Sequence, residues 1–203
     1  MVGFIFQIVL DLLTCEKPTS PEATNLKRLR NNEFPTVACS RLQRYILPLD
    51  CKSNFSSILE TTYVVQNAKD CSFTIAPESL FDGNGSIDQF CINRKFAGKK
   101  YRFVYGTSSF LSGRVDPTIW KIDVETKEFL ELKNDDYCFA GEPYFVNNPT
   151  AEAEDSGMLV CPFSSPNGNI VADHLLMIDC QSFEKAKASF KSSIPVGLHG
   201  VFI

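Results

Sequence analysis

Short stretches in which apolar and polar residues alternate recur along the chain, at the period of two that half-buried strands need. They predict strands at Leu42–Leu47, Thr61–Val65, Tyr101–Tyr105, Thr118–Asp123, Glu128–Leu132, Tyr144–Val146, Gly157–Phe163, His174–Asp179, Ala186–Phe190 and Leu198–Phe202. Turn chemistry separates them, with "DGNG" at 82–85, "AGKK" at 97–100, "DVETKE" at 123–128 and "SPNGN" at 165–169. Residues 16–40 are polar and proline-rich, a loop with one short helix around Glu22–Leu29. No segment carries a long helical period. The opening "MVGFIFQIVLDLLT" holds Gln7 and Asp11 and has no basic flank. It is too short and polar for a spanning helix, and a poor signal peptide, and it predicts a buried strand over Phe4–Leu13. Domains usually begin with something polar and frayed, so the chain reads as cut.

The most regular part lies toward the end. "IDCQSFEKAKASF" at 178–190 repeats the form of "IDVETKEFLEL" at 122–132. Each has an apolar residue, an Asp, a polar turn and an outgoing amphipathic strand. Two such hairpins suggest the meanders of a β-propeller, whose blades are four-stranded sheets.

Composition narrows the function classes. With 203 residues and 44% apolar content the chain can bury a sizeable core as one domain over 1–203. A net charge of −4 gives no electrostatic footprint for nucleic acid. Seventeen Phe residues suit a core of strands or an apolar ligand channel equally. The eight cysteines are never closer than twelve residues, which leaves neither a CxxC nor a zinc-knuckle pattern. In settings such as "DQFCIN", "MLVCPF" and "LMIDCQ" they read as small buried hydrophobes in a reducing compartment. The sequons at Asn54 and Asn84 point the other way, toward a secreted disulfide-rich β domain, and free-thiol titration separates the two. Of the two histidines, His199 sits in a terminal apolar segment, where local sequence alone favours a hydrogen-bonded core residue.

Several phrases in order resemble the carotenoid oxygenase family, which comprises carotenoid cleavage dioxygenases and the retinoid isomerohydrolase of the visual cycle. They are "RYILPL" at 44–49, "INRKFAGKKYRFVYG" at 92–106, "GEPYFV" at 141–146, "AEDSGMLVCPF" at 153–163 and the closing "LLMIDCQSFEKAKASFKSSIPVGLHGVFI". The resemblance implies an all-β fold, the C-terminal part of a seven-bladed β-propeller. It also implies a ferrous iron held by four histidines, with carboxylates behind them that orient the rings. His199 falls on the last of those histidines, in the terminal "HG.F" phrase. Glu142 falls on the glutamate of the "EP" phrase, which would accept Nδ1–H of an iron-bound imidazole. Asp88 stands where the family usually has a glutamate, one methylene short, with a surface aspartate as the alternative. His174 matches no ligand position and reads as a strand-start or loop histidine. The family's three other ligand histidines lie upstream of the strand matched here by "FIFQIVLDLL".

The implied activity of the full-length protein is oxidative cleavage of a polyene double bond by dioxygen, on a carotenoid or retinoid substrate. Retinyl-ester isomerohydrolysis and a non-catalytic truncated propeller are the alternatives. The implied setting is cytoplasmic, with room for a peripheral membrane contact in the full-length protein.

Overall fold

The computed structural model describes residues 7–17, 25, 27–28, 31, 33, 38–49, 64–66, 72–83, 85–111, 114–134, 138–165, 172–195 and 199–200. Two compact units emerge, one built from 1–14 and 41–82 and the other from 15–40 and 83–203.

In the first unit, strands β1 (Gln7–Thr14), β2 (Arg41–Pro48) and β5 (Glu78–Ser79) form an antiparallel sheet in that order, and β3 (Val64–Gln66) pairs with β4 (Phe73–Ile75). The opening strand forms as expected, but it is not buried. Ile8, Val9, Leu10 and Leu12 are 45%, 48%, 40% and 45% exposed. The reason is position: among the described residues β1 pairs only with β2, at the end of its sheet, and apolar side chains on both its faces stay in solvent.

The second unit contains two antiparallel sheets. One is the meander β6 (Gln89–Cys91), β7 (Phe103–Leu111), β8 (Arg114–Asp123) and β9 (Phe129–Lys133). In the other, β10 (Phe139–Ala140) and β11 (Tyr144–Asn147) both pair with β12 (Gly157–Ser164), which is followed by β13 (His174–Asp179) and β14 (Lys185–Ser189). Period-two patterning explains the burial. Leu159, Cys161 and Phe163 of β12 and His174, Leu176 and Ile178 of β13 point into the core, while all of β14 is exposed. Tyr105 and Ile119 from the first sheet join Phe145, Leu159, Phe163 and Leu176 from the second in one core. The Tyr105 and Phe145 rings lie 5.3 Å apart.

Polar contacts join the same two sheets. Lys121 Nζ on β8 donates to Asp155 Oδ2 at 2.9 Å and to the Cys180 carbonyl. The Glu154 carboxylate accepts the backbone N–H groups of Arg102 and Phe103, at 2.8 and 2.7 Å to Oε1. Asn93 Nδ2 donates to the Glu154 carbonyl at 2.9 Å. The "AEDSG" loop is therefore a clasp between the sheets, and its pairing of a half-buried Asp155 with a buried Lys121 is costly to break from the aspartate side.

The repeated hairpins have one geometry. Asp123 Oδ1 accepts N–H from Glu125 and Thr126, and Asp179 Oδ1 accepts N–H from Gln181 and Ser182. Each turn then places a residue in the left-handed region, Lys127 at φ 66° and Phe183 at φ 60°.

Cys138, Cys161 and Cys180 are buried, Cys91 is half-buried and Cys15 is exposed; Cys15, Cys39, Cys91, Cys161 and Cys180 are free thiols. Burial is the main force pushing the thiols of Cys91 and Cys180 up to about 12, so these cysteines pack as protonated thiols. His174 opens β13 fully buried, stacked on Phe163 at 5.2 Å, with Nδ1 3.0 Å from the Ala172 carbonyl. Strands β4, β5, β6 and β10, only two or three residues long, carry no period that the sequence could betray. Lys27 and Arg28 are helical, with Asn25 Oδ1 accepting their N–H groups at 3.0 and 3.4 Å. The terminal strand (except His199 and Gly200), residues 4–6 of the expected opening strand, the start of the strand expected at Thr61–Val65, the ends of the short helix, Cys51, Cys71, the sequon asparagines Asn54 and Asn84 and turn residues 166–169 lie outside the described residues.

Candidate metal centre

β10 and β11 form a broken edge strand along β12 in the second sheet, and Glu142 sits in the break. Ala140 is opposite Phe163, and Tyr144 is opposite Val160. Three residues (Gly141, Glu142, Pro143) therefore face two (Cys161, Pro162), which is a β-bulge. The sequence accounts for it. Neither Pro143 nor Pro162 has an N–H to give, so the ladder cannot continue through this point. Only the Gly141 N–H keeps a ladder bond, to the Pro162 carbonyl at 2.8 Å. Bulges re-aim side chains, and this one presents the Glu142 carboxylate, whose side chain is 29% exposed.

His199 meets that carboxylate across 57 residues of sequence. Its Nδ1 lies 3.3 Å from Glu142 Oε2, where a protonated Nδ1 donates to the carboxylate. The next residue reinforces the contact, since the Gly200 N–H donates to the same oxygen at 3.1 Å. Asp173, 4% exposed, guides the tail toward this point. Its carbonyl accepts the Phe190 N–H at 2.7 Å, and its Oδ2 accepts the Ile194 N–H at 2.6 Å. Nothing in the sequence singled out Asp173, because a lone aspartate before a strand reads as a turn residue.

Asp88 is not part of this contact. Its Oδ1 accepts from Ser86 Oγ at 2.9 Å, and its N–H donates to the Thr107 carbonyl at 2.8 Å. The structure thus brings two of the three sequence-predicted residues together and holds Asp88 by other partners.

The donor chemistry can be tested against iron. An imidazole with Nδ1 against a carboxylate keeps Nε2 as the lone-pair nitrogen, the usual form of a metal-ligating histidine. His199 and Glu142 therefore fit one ligand position. Among the described residues, no group of three or more His, Cys, Asp and Glu side chains is close enough to hold a metal ion. A complete centre would need ligands beyond these residues.

Comparison with known proteins places this geometry in context. The family model described as retinal pigment epithelial membrane protein matches residues 6–203. The chain is 32% identical over 209 residues to the beta,beta-carotene 15,15'-dioxygenase of Gallus gallus, covering 97% of this chain and 38% of that protein. It is 30% identical over 215 residues to the mitochondrial carotenoid-cleaving dioxygenase of Mustela putorius furo, covering 97% and 39%. The chain thus spans under two fifths of the length of these relatives. Among solved structures, a point variant of the Synechocystis apocarotenoid oxygenase superposes with a TM-score of 0.69 at 20% identity, covering 98% of this chain and 39% of the other. A cobalt-substituted form of that oxygenase gives 0.66 at 20% identity, with 98% and 39% coverage. The fold is accordingly all-β, part of the β-propeller of the carotenoid oxygenases.

Proposed function

The chain belongs to the retinal pigment epithelial membrane protein family, and from that membership we propose that it forms part of a non-haem iron(II) dioxygenase that cleaves a polyene double bond of a carotenoid with dioxygen. The observation that carries this reading is the contact between His199 and Glu142, an imidazole oriented by a carboxylate 3.3 Å away. Both relatives are by name dioxygenases of carotenoids, which supports oxidative cleavage over ester isomerohydrolysis.

In this reading His199 would hold the iron through Nε2, and Glu142 would be the carboxylate behind it. Iron(II) held there would supply the redox chemistry that activates dioxygen. The chain's own residues supply orientation. The Nδ1–H stays on the imidazole and donates to the Glu142 carboxylate, which fixes the tautomer and stops the ring from rotating. The Gly200 N–H holds the accepting oxygen in place. A half-buried carboxylate feels a lower dielectric than one in water, which strengthens both bonds.

In the enzyme that carries this chain, His199→Ala is expected to remove iron and activity together. Glu142→Gln is expected to keep the fold and to weaken metal affinity or activity by about 10–100-fold. Metal analysis beside carotenoid turnover reads both. An iron-replete, active His199→Ala enzyme overturns the assignment.

A further inference from the structure

The bulge that aims Glu142 leaves one backbone group to be satisfied by side chains instead of the strand ladder. The Gly141 carbonyl would normally accept from the facing strand, but Pro162 has no N–H there. Two side chains accept the task. Thr107 Oγ1, from β7 of the neighbouring sheet, donates to this carbonyl at 3.1 Å, and Cys161 Sγ donates at 3.3 Å. Both residues are essentially buried, at 1% and 0% exposure. Burial is also the main force raising the Cys161 thiol, which keeps its proton and so remains a donor. Thr107 does more than this. Its own carbonyl accepts the Asp88 N–H at 2.8 Å. One residue therefore fixes the backbone at Asp88 with its main chain and the backbone beside Glu142 with its hydroxyl.

We propose that Thr107 is a positioning residue for the metal centre: its hydroxyl clamps the Gly141 carbonyl and so sets the aim of Glu142 on His199 and Gly200. This rests on the iron reading above for its functional consequence, but the geometric part stands on its own. Without the Thr107 hydroxyl this buried carbonyl keeps only the Cys161 thiol, a weaker donor, and its peptide shifts with the lost bond; the next residue along the chain is Glu142. Thr107→Val keeps the β-branched shape and removes the donor, whereas Thr107→Ser keeps the donor and removes a methyl.

The Gly200 amide reports the position of Glu142 without any metal, because it donates to Glu142 Oε2. In the metal-free chain, Thr107→Val is expected to change the Gly200 amide proton shift and speed its hydrogen exchange, as Glu142→Gln does, while Thr107→Ser leaves both near wild type. In the iron-loaded enzyme, Thr107→Val is expected to lower Fe(II) affinity by about 10-fold, within the range for groups that orient a ligand. Combined with Glu142→Gln, it should add little, since both act through one carboxylate. An unchanged Gly200 amide in Thr107→Val overturns the clamp, as does additivity with Glu142→Gln. Equal loss of folding in the Val and Ser variants also overturns it, because the hydroxyl would then not be the cause. If His199→Ala keeps its iron while the Gly200 amide still responds to Thr107→Val, the metal reading falls and the clamp survives.

Discussion

A methyl group built on Gly141 would stand 2.8 Å from Cγ of Pro162 and 3.3 Å from its carbonyl oxygen. The proline ring is rigid and its carbonyl belongs to the ladder, so neither neighbour can give way cheaply. Gly141→Ala is therefore expected to force the bulge open and cost about 1–3 kcal/mol, the usual range for overpacking. Thermal denaturation measures it, and a variant with the wild-type Tm would show that the close approach is tolerated. The residues of this site differ in how far the sequence reveals them. Glu142 and His199 were found only because their phrases resemble a family, for each by itself reads as a turn glutamate or a core histidine. Thr107 could not be found that way. A threonine in a strand satisfies β-propensity and nothing more, and its hydroxyl gains a task only once a proline on another strand withholds a donor.

At the scale of elements, the two Asp-led hairpins are the clearest case of sequence dictating structure. The side-chain oxygen of the Asp captures two N–H groups of the turn, which gives the polar residues that follow a fixed path. The carboxyl of Asp179 lies below the usual carboxylate range, held there mainly by the N–H groups of Ser182 and Gln181. Burial pushes that of Asp123 upward, but the Arg102 guanidinium and the Thr126 and Glu125 amides outweigh it and leave it lowered. With folded pKa values below the unfolded ones, the unfolded chain takes up these protons first. The stabilisation is therefore complete above about pH 4 and is lost as pH falls through the folded values. Asp123→Asn, which also loses the ion pair with Arg102, is expected to cost about 1–2 kcal/mol near neutrality. Both Asp123→Asn and Asp179→Asn should flatten the acid limb of a stability–pH profile measured by urea unfolding. Acid limbs that superimpose on wild type would remove this role. The repeated turn was legible from its order of residue types. The positive φ at Lys127 and Phe183 was not, because only Gly, Asn or Asp advertise that conformation in a sequence.

At the scale of the whole chain, alternation predicts a strand but cannot say what will cover it. In β12 and β13 the apolar face meets a second sheet and is buried, as the pattern suggests. In β1 both faces are apolar, and the same reasoning predicts burial that the chain does not provide. Asp11 is the one charge on this strand, and Arg44 of β2 neutralises it through two bonds of 2.8 and 2.7 Å. β1 therefore offers an apolar strand at the end of its sheet, with no lysine or proline of the kind that discourages strand addition. The net charge of −4 is a weak deterrent to contact between copies. The 203-residue chain is accordingly expected to self-associate through β1 as its concentration rises. Val9→Lys and Leu10→Lys, on opposite faces of the strand, should each reduce that association while the hairpins of the second unit remain intact. Sedimentation velocity reads the association, and amide spectra of residues 114–134 and 172–195 read the integrity. A wild-type chain that stays monomeric, or lysine variants that associate as strongly as wild type, would show that β1 is not the contact. Lysine at these positions adds a charge to each exposed face and leaves the Asp11–Arg44 pair in place, so a drop in association would trace to the apolar surface of β1.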